Sequence, residues 1–405
     1  MLKHRRLLAF DAVIRHKSAL KAADFAHMTQ PAVSGAIRAL ENEVSAQLFE
    51  RSAHGMIPTR SGHAFAARVS QALDYLKSAE TILAARRPDR QRVPLHRLIS
   101  ESQMRALNAV MEGGGFSQGA RLLGLSQPSI HRAARELETL TGVTLWRNGA
   151  DATPEAHMLA RHFGLYQAEL RLALDELKEI QGIIEGGLSI GALPLARADW
   201  LPEAVARTLS DYPDARIRII DGPYDEQLSA LRHGRIDFIL GALRDPVPAA
   251  DIEQELLFDD PLTIVVRNAH PFAKNFDSDR DKLTPEQLGA LSWILPREAT
   301  PARDNFNRFM RTKGLQPPMR VIECSSLVAI RALLLRTDHA ALLSARQVRH
   351  ELDTGLLKIM GPPLTGSLRA IGLTTRKGFR PTTLQTAVLS HIRQGALQMA
   401  RPLAT

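Results

Sequence analysis

An α/β fold is predicted, with two small helical units in tandem, each running into a long amphipathic helix, and then a larger region of alternating strands and helices. Three observations carry it. The first is an internal repeat. Phe10-Asp-Ala-Val lies over Leu107-Asn-Ala-Val, Met28-Thr-Gln-Pro-Ala-Val over Leu125-Ser-Gln-Pro-Ser-Ile, Ala36-Ile-Arg38 over Ala133-Ala-Arg135, Leu40-Glu41 over Leu137-Glu138 and Leu48-Phe49 over Leu145-Trp146, all at an offset of 97 residues without a gap. One offset held across roughly forty residues, with the apolar positions in phase, marks a duplication. The second is a long apolar stripe at helical spacing after each copy. The third is a change of pattern at Gly186, where short strand-like runs begin to alternate with helical ones, as a mostly parallel sheet covered on both faces requires.

In the first unit Leu8, Ala12 and Val13 share one helical face, Lys17-Ser18 breaks the pattern, and Leu20, Ala23 and Phe25 start a second short helix. Thr29 is placed to cap a third, with Gln30-Pro31 in its first turn and Val33, Ile37, Leu40 and Val44 as its buried stripe. The second unit repeats the plan: Met104 to Met111, a break at Gly113-Gly-Gly, Ala120 to Leu123, a turn at Gly124, a Ser126 cap, and Gln127-Pro128 ahead of Ile130, Ala134 and Leu137. This is helix-turn-helix spacing. The stripes that follow are Phe65, Val69, Ala72, Leu76, Ala79 and Leu83, then Leu159, Phe163, Tyr166, Leu170, Leu174, Leu177 and Ile184. Stripes of this kind bury against another helix. Arg86 to Arg97, with five arginines, Pro88 and Pro94, reads as an exposed linker. The expected divisions are therefore 1–86, a basic linker at 87–97, 98–185 and 186–405.

Within the last region Leu188-Ser-Ile-Gly191, Ile217-Arg-Ile-Ile220 and Ile236 to Gly241 read as strands, with helices at Leu201 to Leu209 and Tyr224 to His233.

The 405 residues, 44% apolar and 23% charged, suffice for two or three domains with their own cores. Of the net charge of +9, most is N-terminal: residues 1–97 hold 16 basic against 8 acidic side chains, 98–185 hold 8 against 11, and 186–405 hold 28 against 24. A basic segment ahead of near-neutral ones suggests a polyanionic partner. The apolar run Leu327 to Leu335 is broken by Arg331 and is about half of the roughly 20 residues a membrane helix needs, so no membrane association is expected. No cleavage-site pattern follows the basic start, and a cytoplasmic protein is expected. Cys324 is the single cysteine and reads as a small buried residue. No His-Glu-x-x-His, Gly-x-Ser-x-Gly, P-loop or paired-cysteine motif is present, and the 14 histidines lack ligand spacing. Neither catalysis nor a metal or cofactor is expected, and His4, His16, His27 and His54 read as surface residues.

Ala22-Ala-Asp-Phe, Thr29-Gln-Pro-Ala-Val-Ser, Ile37-Arg-Ala-Leu-Glu41, Leu48-Phe-Glu-Arg51 and Pro58-Thr-Arg-Ser-Gly62, in this order, resemble the winged helix-turn-helix of LysR-type transcriptional regulators. The second copy resembles a degenerate version, with Asn148 where Arg51 stands, Ala156 where Gly62 stands, and a wing three residues shorter. The resemblance implies double-stranded operator DNA as partner, with the third helix in the major groove. Gln30, Ser34, Gly35 and Arg38 then lie on the reading face; Gln30 suits adenine, and Arg38 a guanine or a phosphate. Thr29, Arg51, His54 and Thr59 become phosphate contacts. The corresponding face of the second copy offers Gln127, Ser129, His131, Arg132 and Arg135, but the acidic balance of 98–185 and Asp151 favour a packing or dimerisation unit over a second DNA contact.

Gly187-Leu-Ser-Ile-Gly191, Tyr212-Pro213, Leu231-Arg-His-Gly-Arg-Ile-Asp237, Leu262 to Val266 before His270-Pro-Phe272, and the helix Val328 to Leu335 resemble the LysR-type effector domain, whose fold is that of a periplasmic binding protein. That implies two lobes, crossings near Leu262–Arg267 and Leu357–Arg369, and a small-molecule effector between the lobes. Ala192, Leu193, Pro194, Tyr224, Arg244, Ser325 and Ser326 would line the site, with Arg297 and Thr300 holding a carboxylate or phosphate. The loop Ala192-Leu-Pro-Leu lacks the Ser/Thr often found there, which leaves a less polar or sugar-like ligand open. RNA polymerase and further copies of the chain, as dimer or tetramer, complete the implied partners. The long helices can pair between subunits, as in the family, or between the two copies of one chain.

Overall fold

In the computed structural model the described residues are 2–52, 55–86, 93–147, 151–198, 200–278, 280–298, 300–318 and 320–399, with Ala26, Arg51, Ser52 and Pro301 described by backbone alone. The first repeat forms α1 (His4–His16), α2 (Ala19–Ala26), α3 (Gln30–Val44), the hairpin β1 (Phe49–Ser52) and β2 (Gly55–Pro58), and the long α4 (Arg60–Ala85). After α5 (Leu95–Leu98), the second repeat forms α6 (Glu101–Gly113), α7 (Phe116–Leu123), α8 (Gln127–Thr141), β3 (Trp146–Arg147), β4 (Asp151–Ala152) and the long α9 (Pro154–Ile180). Each of α6, α7 and α8 begins and ends 97 residues after its counterpart.

The repeats share their local devices. Thr29 and Ser126 cap the third helices by accepting from Ala32 N and Ser129 N. Glu41 Oε1 accepts from Leu48 N at 2.9 Å and Phe49 N at 3.1 Å, and Glu138 Oε1 accepts from Leu145 N at 2.7 Å and Trp146 N at 3.4 Å. Left-handed residues end the first three helices of each repeat, but they are Lys17, His27 and Ser45 in the first and Gly114, Gly124 and Gly142 in the second. Glycine adopts that conformation without the steric cost borne by a side chain, so the second copy is the better terminated of the two.

The two stripes meet each other. α4 and α9 run antiparallel, because Arg86 at the end of α4 pairs with Glu155 at the start of α9 at 2.8 Å, while Arg68 near the start of α4 pairs with Glu176 near the end of α9 at 3.0 Å. One apolar core therefore spans both repeats, joining Leu7, Phe10 and Phe65 to Leu137, Phe163 and Tyr166. Of the two pairings left open by the sequence, the helices take the one between the two copies of the chain, and residues of both stripes share this core.

His4 departs from the sequence reading. It is 3% exposed, its Nε2 donates to His96 O at 2.7 Å, and its Nδ1 accepts from Tyr166 Oη at 2.8 Å. The linker departs as well at its far end: Leu95 is buried, His96 Nδ1 lies 2.7 Å from Glu80, and the Arg97 guanidinium sits 5.1 Å from the centre of the Phe25 ring. Apolar Leu95 and the partnered His96 dock this segment onto the helices. Cys324 is half-exposed rather than buried, its Sγ lying 3.7 Å from Ser326 O, because it follows an edge strand.

The remaining chain builds two five-stranded sheets. The first lobe comprises β5 (Gly187–Ala192), α10 (Pro194–Ala198), α11 (Trp200–Asp211), β6 (Arg216–Ile220), α12 (Tyr224–Arg232), β7 (Phe238–Ala242) and β8 (Ile252–Asp260). The chain then crosses to β9 (Thr263–Arg267), α13 (Pro285–Ala290), β10 (Ser292–Leu295), α14 (Pro301–Thr312), β11 (Val321–Glu323), α15 (Leu327–Arg336), β12 (His339–Leu343), α16 (Arg349–Asp353) and β13 (Leu357–Ile359). It returns to the first lobe as β14 (Arg369–Arg376) and α17 (Thr383–Met399). The sheet orders are β6-β5-β7-β14-β8 and β11-β10-β12-β9-β13. β5 is parallel to β6 and β7, whereas the returning β14 is antiparallel to β7 and β8. The two crossings touch, with Leu262 N donating to Ser367 Oγ at 3.0 Å. Asp260, 1% exposed at the first crossing, accepts from Ser344 Oγ at 2.6 Å and pairs with Arg369.

α9 also docks on the first lobe. Arg171 donates to Asp237 and to Gly187 O, each at 2.8 Å, and Arg161 pairs with Asp251 at 2.6 Å. Glu179 accepts from Thr383 N at 2.7 Å and Leu384 N at 3.0 Å, capping α17. Gly164 lets the lobe approach, since a Cβ there would stand 2.3 Å from His233 O.

Candidate nucleic-acid interface and effector cleft

α3 buries Val33, Ile37 and Leu40, all at most 2% exposed. Its opposite face carries Gln30, Gly35 and Arg38, all exposed, and the half-buried Ser34. No ion pair to Arg38 occurs among the described residues. A Cβ at Gly35 would meet nothing within 4 Å among the described residues, where glycine serves no packing need. Thr29 and Thr59 have structural employment. Thr29 caps α3, and Thr59 accepts from Gly62 N at 2.9 Å while donating to Gln47 O at 2.7 Å. The Arg51 side chain and His54 lie outside the described residues.

On α8, Gln127, Ser129, Arg132 and Arg135 are exposed and His131 is half-buried. Ser129 Oγ lies 2.8 Å from the capping Ser126 Oγ. The His131 ring stacks on Phe116 at 4.0 Å between centres and 9° between planes. A concavity of about 820 Å³ runs along this face, lined by His131, Arg132, Arg135, Glu136 and Thr139 among others.

In the first lobe, Tyr224 at the start of α12 and Arg244 just after β7 come together, with the guanidinium 4.0 Å from the ring centre. Arg244 is held by its backbone, N donating to Gln254 Oε1 at 2.9 Å and O accepting from Gln254 Nε2 at 3.1 Å, and its Nη1 donates to Ala242 O at 3.2 Å. Burial pulls the Arg244 guanidinium below its ordinary range, against the opposing pull of Tyr224 and Asp225, and burial pushes the Tyr224 phenol up. Tyr224 Oη and Gln227 Oε1 are buried without a hydrogen-bond partner among the described residues. Gln227 was missed by the sequence reading; a polar residue on the buried side of α12 was its available signal.

The other expected lining residues divide. Ala192 ends β5 and Pro194 opens α10. Leu193 instead packs into the lobe with Leu231, Ile236 and Ile239, because Gly241 at φ +145° leaves room that its own Cβ would fill, 2.5 Å from Leu193 Cβ. In the second lobe Arg297 and Ser325 are exposed, while Thr300 and Ser326 cap α14 and α15. Thr300 Oγ1 donates to Arg297 O at 2.9 Å.

The family described as LysR substrate binding domain matches residues 181–397, over half of the chain. That described as bacterial regulatory helix-turn-helix protein, lysR family, matches twice, at 4–63 and 102–157. The chain belongs to the LysR family. The HTH-type transcriptional regulator GalR of Pseudomonas putida is 32% identical over 395 residues, 97% of each chain, so the alignment includes the second helix-turn-helix unit. Among solved structures, a full-length OxyR variant from Pseudomonas aeruginosa has a TM-score of 0.53 at 19% identity, covering 74% of this chain and 94% of its own. Full-length CbnR complexed with its target DNA has a TM-score of 0.50 at 21% identity, covering 73% of this chain and 100% of its own. These two show the fold. This LysR-family protein is a transcriptional regulator with helix-turn-helix DNA-binding and effector-binding domains, and not an enzyme. No helix among its described residues is long and apolar enough to cross a membrane.

Proposed function

We propose that the first unit of this regulator reads operator DNA through α3, with Gln30, Ser34 and Arg38 at base edges, Gly35 admitting the backbone close to the groove, and Thr29, Arg51, His54 and Thr59 along the phosphates. The observation that carries this is Arg38, exposed and without an ion pair among the described residues, on the face opposite the buried stripe. The effector is a small anionic molecule with a planar apolar part, held between the lobes. Arg244 supports this: a half-buried cation over an aromatic ring, pinned through its backbone and in no ion pair among the described residues. Ala192, Pro194, Arg297, Thr300, Ser325 and Ser326 provide the surrounding polar edges and backbone. Closure about the two crossings would favour one lobe arrangement, and an effector shifts its population only by its difference in affinity for the two. The working divisions are 1–86, 87–97, 98–185 and 186–405, and the site of action is the cytoplasm. RNA polymerase belongs to this reading, as do further copies of the chain meeting through a surface other than the α4–α9 seam.

The test is selection of duplexes from a random pool by the full chain. Arg38→Ala should lose base preference within the selected site and weaken it by about 1–3 kcal/mol; an unchanged selection contradicts the α3 assignment. For the effector, thermal shifts of the full chain with a panel of aromatic and aliphatic carboxylates should reveal a stabilising compound whose effect Arg244→Ala abolishes. A compound that stabilises both proteins equally contradicts the Arg244 assignment.

A further inference from the structure

We propose that the second unit is itself a DNA reader and that one chain reads two unlike half-sites, one with α3 and one with α8. The proposal rests on the α3 reading above and extends it. The sequence argued against it on charge, since residues 98–185 hold 8 basic and 11 acidic side chains. The acid lies elsewhere in the fold. Glu155 pairs with Arg86, Glu169 and Glu176 with Arg68, and Asp175 with Arg171, while Glu179 caps α17. All five are on α9, in the seam or against the first lobe. Residues 98–153 alone are balanced, with 5 basic and 5 acidic side chains. Of those acids, Glu138 is turned onto the N–H groups of Leu145 and Trp146, and Glu101 onto the His4 N–H.

What α8 presents outward is a stronger reading face than that of α3. At the offset of 97, Gln127 stands for Gln30, His131 for Ser34, Arg132 for Gly35 and Arg135 for Arg38. Two positions poor in side-chain donors in the first unit thus carry an imidazole and a guanidinium in the second. His131 is held by its stack on Phe116 at 4.0 Å, where the first unit has Ser34 and Ala19, which cannot stack. A side chain fixed before binding loses little rotamer freedom on contact. No ion pair to Arg132 or Arg135 occurs among the described residues, and both line the concavity along α8. Glu136, beside them where the first unit has Ala39, can accept from a cytosine amino group.

The two units are also paired with each other. α4 and α9 are antiparallel, and His4 and Glu101, which occupy the same position in the two repeats, contact each other. A two-fold relation between units requires this of residues near its axis. The chain therefore carries within itself the paired arrangement that symmetric dimers use on two half-sites. Because the two faces differ, the two half-sites must differ.

The test is the same random-duplex selection with the full chain, read for its internal structure. The wild type should enrich two unlike sequence blocks. Arg132→Ala/Arg135→Ala should erase one block, keep the other, lower affinity on the order of 10-fold or more and flatten the salt dependence. Arg38→Ala should act on the other block. Both arginines are exposed, and an unchanged thermal melt of the double variant confirms its fold. Enrichment of a single block, of an inverted repeat of one block, or of the same two blocks by the double variant overturns the second reader. A pool with no enriched sequence overturns the α3 reading as well.

Discussion

Arg68 of α4 and Glu169 of α9 form an ion pair at 3.1 Å, with the guanidinium 2% exposed. The same guanidinium reaches Glu176 at 3.0 Å and donates to Arg380 O at 2.8 Å. One side chain thus ties the first DNA-binding unit, the second long helix and the segment leading into α17. Burial disfavours its charge, but the two carboxylates outweigh burial and hold Arg68 above its ordinary value.

Removing that cation leaves Glu169 buried and unpaired. Arg68→Met should lower the stability of the chain by about 3–5 kcal/mol, measured by urea unfolding, because the cost is that of an uncompensated buried charge. A loss below about 1 kcal/mol would show that the carboxylates find water and that the network does not hold the seam.

Stability at this seam should fall on the acid side of neutrality. Burial lowers the His4 pKa below 6.5, only partly opposed by the His96 carbonyl and Glu101. A histidine depressed in the folded state contributes stability that is complete above its unfolded pKa of about 6.5 and is lost as pH falls through the folded one. Urea midpoints measured between about pH 5 and 7.5 should therefore decline toward acid. His4→Gln should make the decline shallower, and an unaltered slope would remove His4 from the account.

The left-handed helix ends give a stabilising change. Ser45 ends α3 at φ 52°, where its counterpart is Gly142 at φ 65°. Ser45→Gly relieves a strain of about 1–2 kcal/mol and adds chain entropy to the unfolded state, for a net gain of about 0.5–1 kcal/mol. A thermal melt that does not rise would show that the turn is not strained.

Docking of α9 on the first lobe depends on a small residue. Gly164→Ala places a Cβ 2.3 Å from the backbone of His233, and neither helix nor loop can yield without losing contacts. A loss of about 1–3 kcal/mol in urea unfolding is expected. Unchanged stability would mean that lobe and helix are loosely joined.

The duplication, the caps and the buried stripes were legible in the sequence because each depends on local spacing. Which stripe met which was not, since a stripe records that a face is buried and not against what. A signal for the pairing existed: Arg68 falls between Phe65 and Val69, and Glu169 beside Leu170, so each stripe carries a charge and the signs are opposite. His4 was illegible because its ring partner, Tyr166, is 162 residues away. In the effector region strand ends located Tyr224 and Arg244, but Leu193 turned inward for a reason that lies at Gly241.

The two long helices pair within one chain. Arg86 and Glu155 face each other across the seam at 2.8 Å. With Cys324→Ser as background, Arg86→Cys/Glu155→Cys treated with a short bis-maleimide should give a cross-linked product of single-chain mass. Mixing Arg86→Cys chains with Glu155→Cys chains should give no cross-linked pair. A double-mass product from the mixture would place the partner helix on another subunit and contradict pairing within one chain.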